Sequence, residues 1–401
     1  MDPGSLRPPM FSLVALLSIA PAFLSSQDSV QVNDVSMGQQ DRPDVAMSAD
    51  SAAYLIWDDY RSGGNGDIFF SLRDPVTGTW SANERVNDDN TGRTQWSAAI
   101  AVDGSGVAYA VWQDQRDGKK TPDTNIYFAK RDGGTWSANS RINDDSRAAA
   151  HQATPRIAVT TAGDAVAVWG DHRSRQWNVY SSRLSAGGAL WAANLPVTDN
   201  GTSRKFDPDI TIGPDGTAYA VWDDDRAGNS DVWFSKLLPG ALSWTPNERI
   251  SDDPGTAAQY APRIDANANG DLFVLWLDDR VWNTEVRMTR LTAGGANWET
   301  SRVVSDTAAV PVTLALGIAS EGAAFAVWQD ARGASYDIWG AEYDAASDTW
   351  LAPTLISDDP AVTAQMRPTV ARTSSQIVAA WRDDRVTGGD IRARVGESGG
   401  Q

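Results

Sequence analysis

The sequence contains no cysteine and only two histidines, His151 and His172, in 401 residues. These absences exclude a disulfide framework, thiolate chemistry and a histidine-rich zinc site. Basic residues are also in deficit: 34 lysines and arginines face 52 aspartates and glutamates, a formal charge of -18. A field of that sign excludes a general affinity for DNA, RNA or anionic membrane, which requires a basic surface to replace counterions. Long apolar runs are missing too. The one candidate, MFSLVALLSIAPAFL at 10–24, is too short and too proline-interrupted to span a bilayer. Beside Arg7 and ahead of the small-residue step Ala20-Pro21-Ala22, it reads as a signal peptide within residues 1–26. The expectation is a secreted or cell-surface chain, with one domain over 27–396 and a disordered tail over 397–401.

What is present is a repeat. One line recurs seven times: YLIWDDYR, YAVWQDQR, VAVWGDHR, YAVWDDDR, FVLWLDDR, FAVWQDAR and VAAWRDDR. Its tryptophans, Trp57, Trp112, Trp169, Trp222, Trp276, Trp328 and Trp381, are spaced by 55, 57, 53, 54, 52 and 53 residues. A period of that size belongs to propeller blades. Each period holds four short β-rich runs separated by turn residues, labelled strands A to D from the axis outwards. The reading is an all-β, seven-bladed β-propeller with four antiparallel strands per blade. Strand A is expected to open with proline, at Pro43, Pro155, Pro208, Pro262, Pro311 and Pro368, with Ala98 in the second copy. The D-type motif, an apolar residue then Asn, Ser or Thr then Asp, first occurs at Asn33-Asp34, before any complete blade, while the last blade lacks one. The N-terminal run VQVND at 30–34 is therefore expected to serve as the outer strand of the seventh blade and to close the ring.

The C-to-D turns end in Trp80, Trp136, Trp191, Trp244, Trp298 and Trp350. Turns such as RDGGTW at 131–136 and DPVTGTW at 74–80 resemble degenerate Asp-box turns of the sialidase-like propeller superfamily. The copies LSAGGALW and LTAGGANW lack the aspartate. This motif occurs in hydrolases, lectins and receptors, so the resemblance implies a fold more than an activity.

Two sets of residues carry possible chemistry. The first is the signature Trp-x-Asp-x-Arg, with Asp59, Asp114, Asp171, Asp224, Asp278, Asp330 and Asp383 followed by Arg61, Arg116, Arg173, Arg226, Arg280, Arg332 and Arg385. A residue repeated in every blade is expected to be structural, the arginine tying its loop to an aspartate of its own blade or a neighbour's. The alternative use of this acidic face is calcium, through the pairs Asp88-Asp89, Asp144-Asp145, Asp252-Asp253 and Asp358-Asp359, although no EF-hand spacing is present. No other cofactor is implied. The second set is the departures from the repeat, Tyr60, Trp96, His151, His172, Trp177, Tyr260, Trp282 and Tyr336, which are candidate ligand-binding residues because aromatic rings stack on sugar faces.

The superfamily resemblance implies, for a sialidase, an arginine cluster, a tyrosine nucleophile with a glutamate, and a separate acid. No such triad stands out here, and Glu84 and Glu248 occupy equivalent strand D positions. No catalytic residue is assigned. The reading is a non-catalytic binding propeller for glycans or an extracellular protein. A sialidase-like or other polysaccharide-active enzyme and a protein-interaction scaffold are the alternatives.

Overall fold

A computed structural model describes residues 28–35, 37–118, 123–145, 150–199, 201–359 and 363–397. The expected signal peptide lies outside the described residues. The described residues form seven antiparallel sheets and no helix. The innermost strand of each sheet lies against the innermost strands of the two sheets beside it, so the blades make a closed ring. In the first blade strands A to D are Gln40–Met47, Ala53–Asp59, Asp67–Arg73 and Glu84–Arg85. The next five blades repeat that order. The seventh sheet contains Gln365–Arg372, Gln376–Asp383 and Asp390–Glu397, and its fourth strand is Val30–Gln31, paired through Val30 with Ala393 and Gln31 with Arg392. The last strand thus runs one residue past the boundary set at 396.

Strand B is buried along its whole length in most blades because both of its faces are covered by neighbouring sheets. The hydrophobic core is accordingly divided into seven clusters, one per pair of adjacent blades. Trp57, for example, joins Val45, Leu55, Val378 and Ile391 between blades 7 and 1. All seven signature tryptophans are fully buried. The C-to-D tryptophans add a second tie between blades. Trp136, Trp191 and Trp298 set an edge against Phe70, Phe128 and Phe234 of the preceding blade, at 5.1–5.3 Å between centroids.

One expectation needs correcting. Strand A does not open with proline in most blades: it begins three residues earlier, at Gln40, Gln95, Gln152, Lys205, Gln259 and Gln365, and proline opens it only at Pro311. The other prolines, and Ala98, sit in a β-bulge that breaks the register with strand B. A bulge leaves a residue without its ladder bond, which suits a proline as well as a strand's first position does. The residue before it takes a positive φ: Arg42 (48°), Ser97 (57°), Thr154 (47°), Asp207 (48°), Ala261 (53°) and Arg367 (54°). Six strained positions therefore recur around the start of the inner strands, on the face where strand B ends and the B-to-C loops begin.

Candidate functional site

That face is built first by the signature residues. Each aspartate is fully buried and accepts the indole N–H of its own tryptophan, for example Trp112 Nε1 to Asp114 Oδ2 at 2.9 Å. It also accepts the backbone N–H of the following arginine and the guanidinium itself. The same guanidinium reaches the D-type motif of the preceding blade. The pairs are Arg61–Asp34, Arg116–Asp88, Arg173–Asp144, Arg226–Asp199, Arg280–Asp252, Arg332–Asp306 and Arg385–Asp358, at 2.6–2.9 Å. In five blades the guanidinium also lies 3.9–4.3 Å over a strand C ring: Phe69, Tyr127, Tyr180, Trp233 or Trp339. These groups bind one another and link blade to blade.

The paired acids are divided by the same geometry. The first of each pair serves an arginine. The second turns inward, where Asp89 accepts from Gln95 Nε2 at 3.1 Å and Asp145 from Asn143 at 2.6 Å. Among the described residues no group of three or more histidines, aspartates or glutamates is gathered as a metal site would be. Glu84 is bound by Arg131 of the next blade at 2.8 Å.

The residues that do not repeat form two local groups. At the junction of blades 7 and 1, Arg42, Arg367 and Arg382 converge on buried carboxylates. Asp41 lies 3.6 Å from Arg42, 3.1 Å from Arg367 and 3.8 Å from Arg382, and Asp58 lies 3.1 Å from Arg42. Arg42 and Arg367 are partly open to solvent, whereas Asp41 and Asp58 are not. Burial pushes the Asp58 carboxyl up to about 7 in spite of Arg42 and the Ser97 N–H. Burial, with Arg42 and Arg382 beside it, holds the Arg367 guanidinium below its ordinary value. Tyr60 borders this group: burial and then the Asp58 charge raise its phenol. Trp96 immediately precedes Ser97 in the adjoining strand.

The second group joins His151, His172 and Trp177, three residues the sequence marked as departures. The Trp177 ring lies 6.3 Å from His151 and 5.2 Å from His172, and sets its edge against Phe206 at 5.0 Å, over which Arg204 stacks. Burial and the neighbouring His172 hold His151 below the ordinary histidine value. The remaining candidates are separate. Tyr260 packs into the core between blades 5 and 6, Tyr336 is partly exposed, and Trp282 is fully exposed on its B-to-C loop. The B-to-C loop of the second blade, between Asp114 and Asn125, lies partly outside the described residues, and its Asp117 accepts the Tyr127 hydroxyl at 2.7 Å.

Deeper along the axis, Asp44, Asp209 and Asp265 each accept a backbone N–H from the next blade's inner strand, at Ile100, Ile264 and Ile318. These acids stitch strand A to strand A. Arg42, Asp41, Asp58, Arg367, Arg382 and Phe206 were not picked out from the sequence. The signal lay in two variable positions: the residue after the signature tryptophan, which reads Asp58, Gln113, Gly170, Asp223, Leu277, Gln329 and Arg382, and the residue before the bulge.

No protein-family model matches the chain, and no curated protein matches it. Solved structures do. An ulvan lyase, a polysaccharide lyase whose structure is bound to GlcA(1-4)Rha3S, shares 11% identity at a TM-score of 0.61, over 92% of this chain and 96% of that one. An α-L-arabinanase of Penicillium chrysogenum complexed with arabinobiose shares 12% at 0.56, over 93% and 99%. The Hadza microbial sialidase Hz136 shares 12% at 0.51, over 92% and 68%. Identities this low carry the fold alone, and the fold is that of the sialidase-like and related β-propellers.

Proposed function

We propose that this propeller binds carbohydrate bearing an acidic group, at the junction of blades 7 and 1. The observation that carries this reading is the convergence of Arg42, Arg367 and Arg382 on two buried carboxylates, one of which, Asp58, is drawn toward its neutral form. With Asp58 protonated, three guanidiniums face two carboxylates, Asp41 and Asp384, the latter 2.8 Å from Arg382, which leaves one positive charge in excess at the mouth of an acidic protein. Guanidiniums recognise carboxylate and sulfate through paired hydrogen bonds. Tyr60 and Trp96 at the edge of the group offer aromatic surface to a sugar ring. Neighbours in fold that act on or hold saccharides support the class of ligand.

A second reading, catalysis, is favoured by one feature. A carboxyl titrating near 7 beside a tyrosine suits proton donation to a glycosidic oxygen. A glycan array carrying neutral and acidic sugars, run with and without calcium on the wild type and on Arg367→Ala, separates these outcomes when paired with a turnover assay on the retained glycans. Retention of acidic glycans that is lost in the variant supports binding, and turnover that Asp58→Asn abolishes supports catalysis. Retention of neutral glycans alone, unchanged by the variant, refutes the proposed site.

A further inference from the structure

Strand A begins with a buried glutamine in five of the seven blades, but in the fourth blade it begins with Lys205, which is fully buried. The substitution is coupled to a second one in the sequence. Where the inward acid of a pair, such as Asp89, precedes strand A of the second, third, fifth and seventh blades, Asn200 precedes that of the fourth. Relative to the second blade, glutamine plus aspartate has become lysine plus asparagine, a local change of two positive charges.

The ammonium has the charges of Asp224, Asp199 and Asp225 near it but few hydrogen bonds. Among the described residues its one hydrogen bond is to the Ser203 carbonyl, at 3.3 Å. The nearby acids are committed elsewhere. Asp199 is held by both terminal nitrogens of Arg226 at 2.8 and 2.9 Å, Asp224 by Arg226, and Asp225 by the Arg204 N–H at 2.7 Å. Burial holds the lysine below its ordinary value. Directly beside it is an open cavity of about 470 Å³, walled by Asp199, Gly201, Thr202, Ser203, Asp225 and Arg226, the two carboxylates being those already bound by Arg226 and by the Arg204 N–H. Only a glycine separates the two: a Cβ added at Gly201 would lie 3.2 Å from Lys205 Nζ. The hydroxyls of Thr202 and Ser203 carry no bond to another described residue, so the wall offers donors without committed acceptors.

We propose that this cavity is a second ligand site, specific for a small oxyanion of the carboxylate or sulfate type, held by Lys205 Nζ and the Thr202 and Ser203 hydroxyls. A ligand oxygen there supplies further acceptors to an ammonium that bonds only the Ser203 carbonyl among the described residues. The site is independent of the arginine group.

The test is titration calorimetry of the full chain with sodium sulfate and, separately, with methyl glucuronide. In the Arg367→Ala protein, whose arginine group is disabled, saturable binding of either at one site per chain is expected, weakened at least about tenfold, roughly 1.4 kcal/mol, on adding Lys205→Gln, the residue five other blades carry there. Gly201→Ala, which keeps the charge and narrows the approach, should weaken it as well and guards against misfolding of the first variant. Persistence of this binding without Arg367 separates the site from the carbohydrate site proposed above, which is the one that substitution disables. Binding of sulfate alone assigns a free anion, and binding of the glucuronide alone assigns an acid carried by a sugar. No saturation of either ligand by about 50 mM, above the range of millimolar sites, or equal affinity in Lys205→Gln, overturns the proposal.

Discussion

Replacing Asp58 with asparagine should stabilise the protein at neutral pH and leave it almost unchanged in acid. In the unfolded chain this carboxyl titrates near 3.8, and in the fold burial moves it up to about 7. Between those values the folded state holds a proton that the unfolded state has released, so stability falls as pH rises. Below about 4 the proton is present in both states, and a neutral amide of the same shape is close to equivalent. Above 7 the wild type carries a buried charge whose bond to Arg42, at 3.1 Å, does not offset its desolvation. A displacement of about 3 pKa units corresponds to about 4 kcal/mol between pH 4 and pH 7.5. For a ring of about 370 residues, an unfolding entropy near 2.1 cal/mol/K per residue converts this into about 5 °C of Tm. Calorimetric scans of both proteins at steps from pH 4 to 8 should therefore diverge, with Asp58→Asn melting about 5 °C higher at the neutral end. A difference that stays constant across that range, or that favours the wild type at pH 7.5, refutes the account of Asp58 as a desolvated acid.

Asp114→Ala removes the acceptor shared by the Trp112 indole, the Arg116 backbone and its guanidinium, and should cost about 3–5 kcal/mol in urea unfolding; an unshifted midpoint would mean the signature is dispensable. A chain beginning at Met37 loses the fourth strand of the seventh blade, exposing the edge of Asp390–Glu397, and should melt lower and self-associate in sedimentation velocity, whereas an unchanged monomer would show that the pairing adds little. Trp282 is fully exposed, so Trp282→Ala should shift stability by less than about 0.5 kcal/mol; a marked loss of Tm would place that ring in a contact of its own.

The fold was legible because a propeller writes itself seven times. A run such as YAVW ending in Asp-x-Arg must satisfy the same wedge between blades at every copy, so spacing alone exposes the architecture. The strand A starts were misplaced because proline suits a bulge as well as a strand opening, and nothing local distinguishes the two at Pro43 or Pro262. The candidate site was less legible for the opposite reason. Loop departures such as His151, His172 and Trp177 drew attention, and the fold brings those three together through long-range packing on Phe206. Arg42, Arg367 and Arg382 sit instead within strands, beside a proline or a tryptophan. Their convergence depends on joining the first blade to the last, over a separation of more than 300 positions. Strand alternation alone places the residue after each tryptophan opposite the signature side chains, but only the closed ring shows that Arg382 meets Asp41.

The distribution of charge refines what composition alone implied. Each signature arginine is shared between two carboxylates, its own blade's and its neighbour's, so every blade contributes an excess of negative charge to the scaffold itself. Much of the overall acidity therefore belongs to the ring's internal fastening. A long, densely charged polymer laid across this face would meet the outer acids of seven blades, among them Asp34, Asp88 and Asp199, which are about half exposed. A saccharide carrying one acidic group would encounter that repulsion weakly while still presenting its acid to Arg42 and Arg367 at the mouth. Under the function proposed above, the same arrangement is expected to disfavour a nucleic acid or a heavily sulfated chain and to favour sparse charge on an otherwise neutral, hydroxyl-rich ligand.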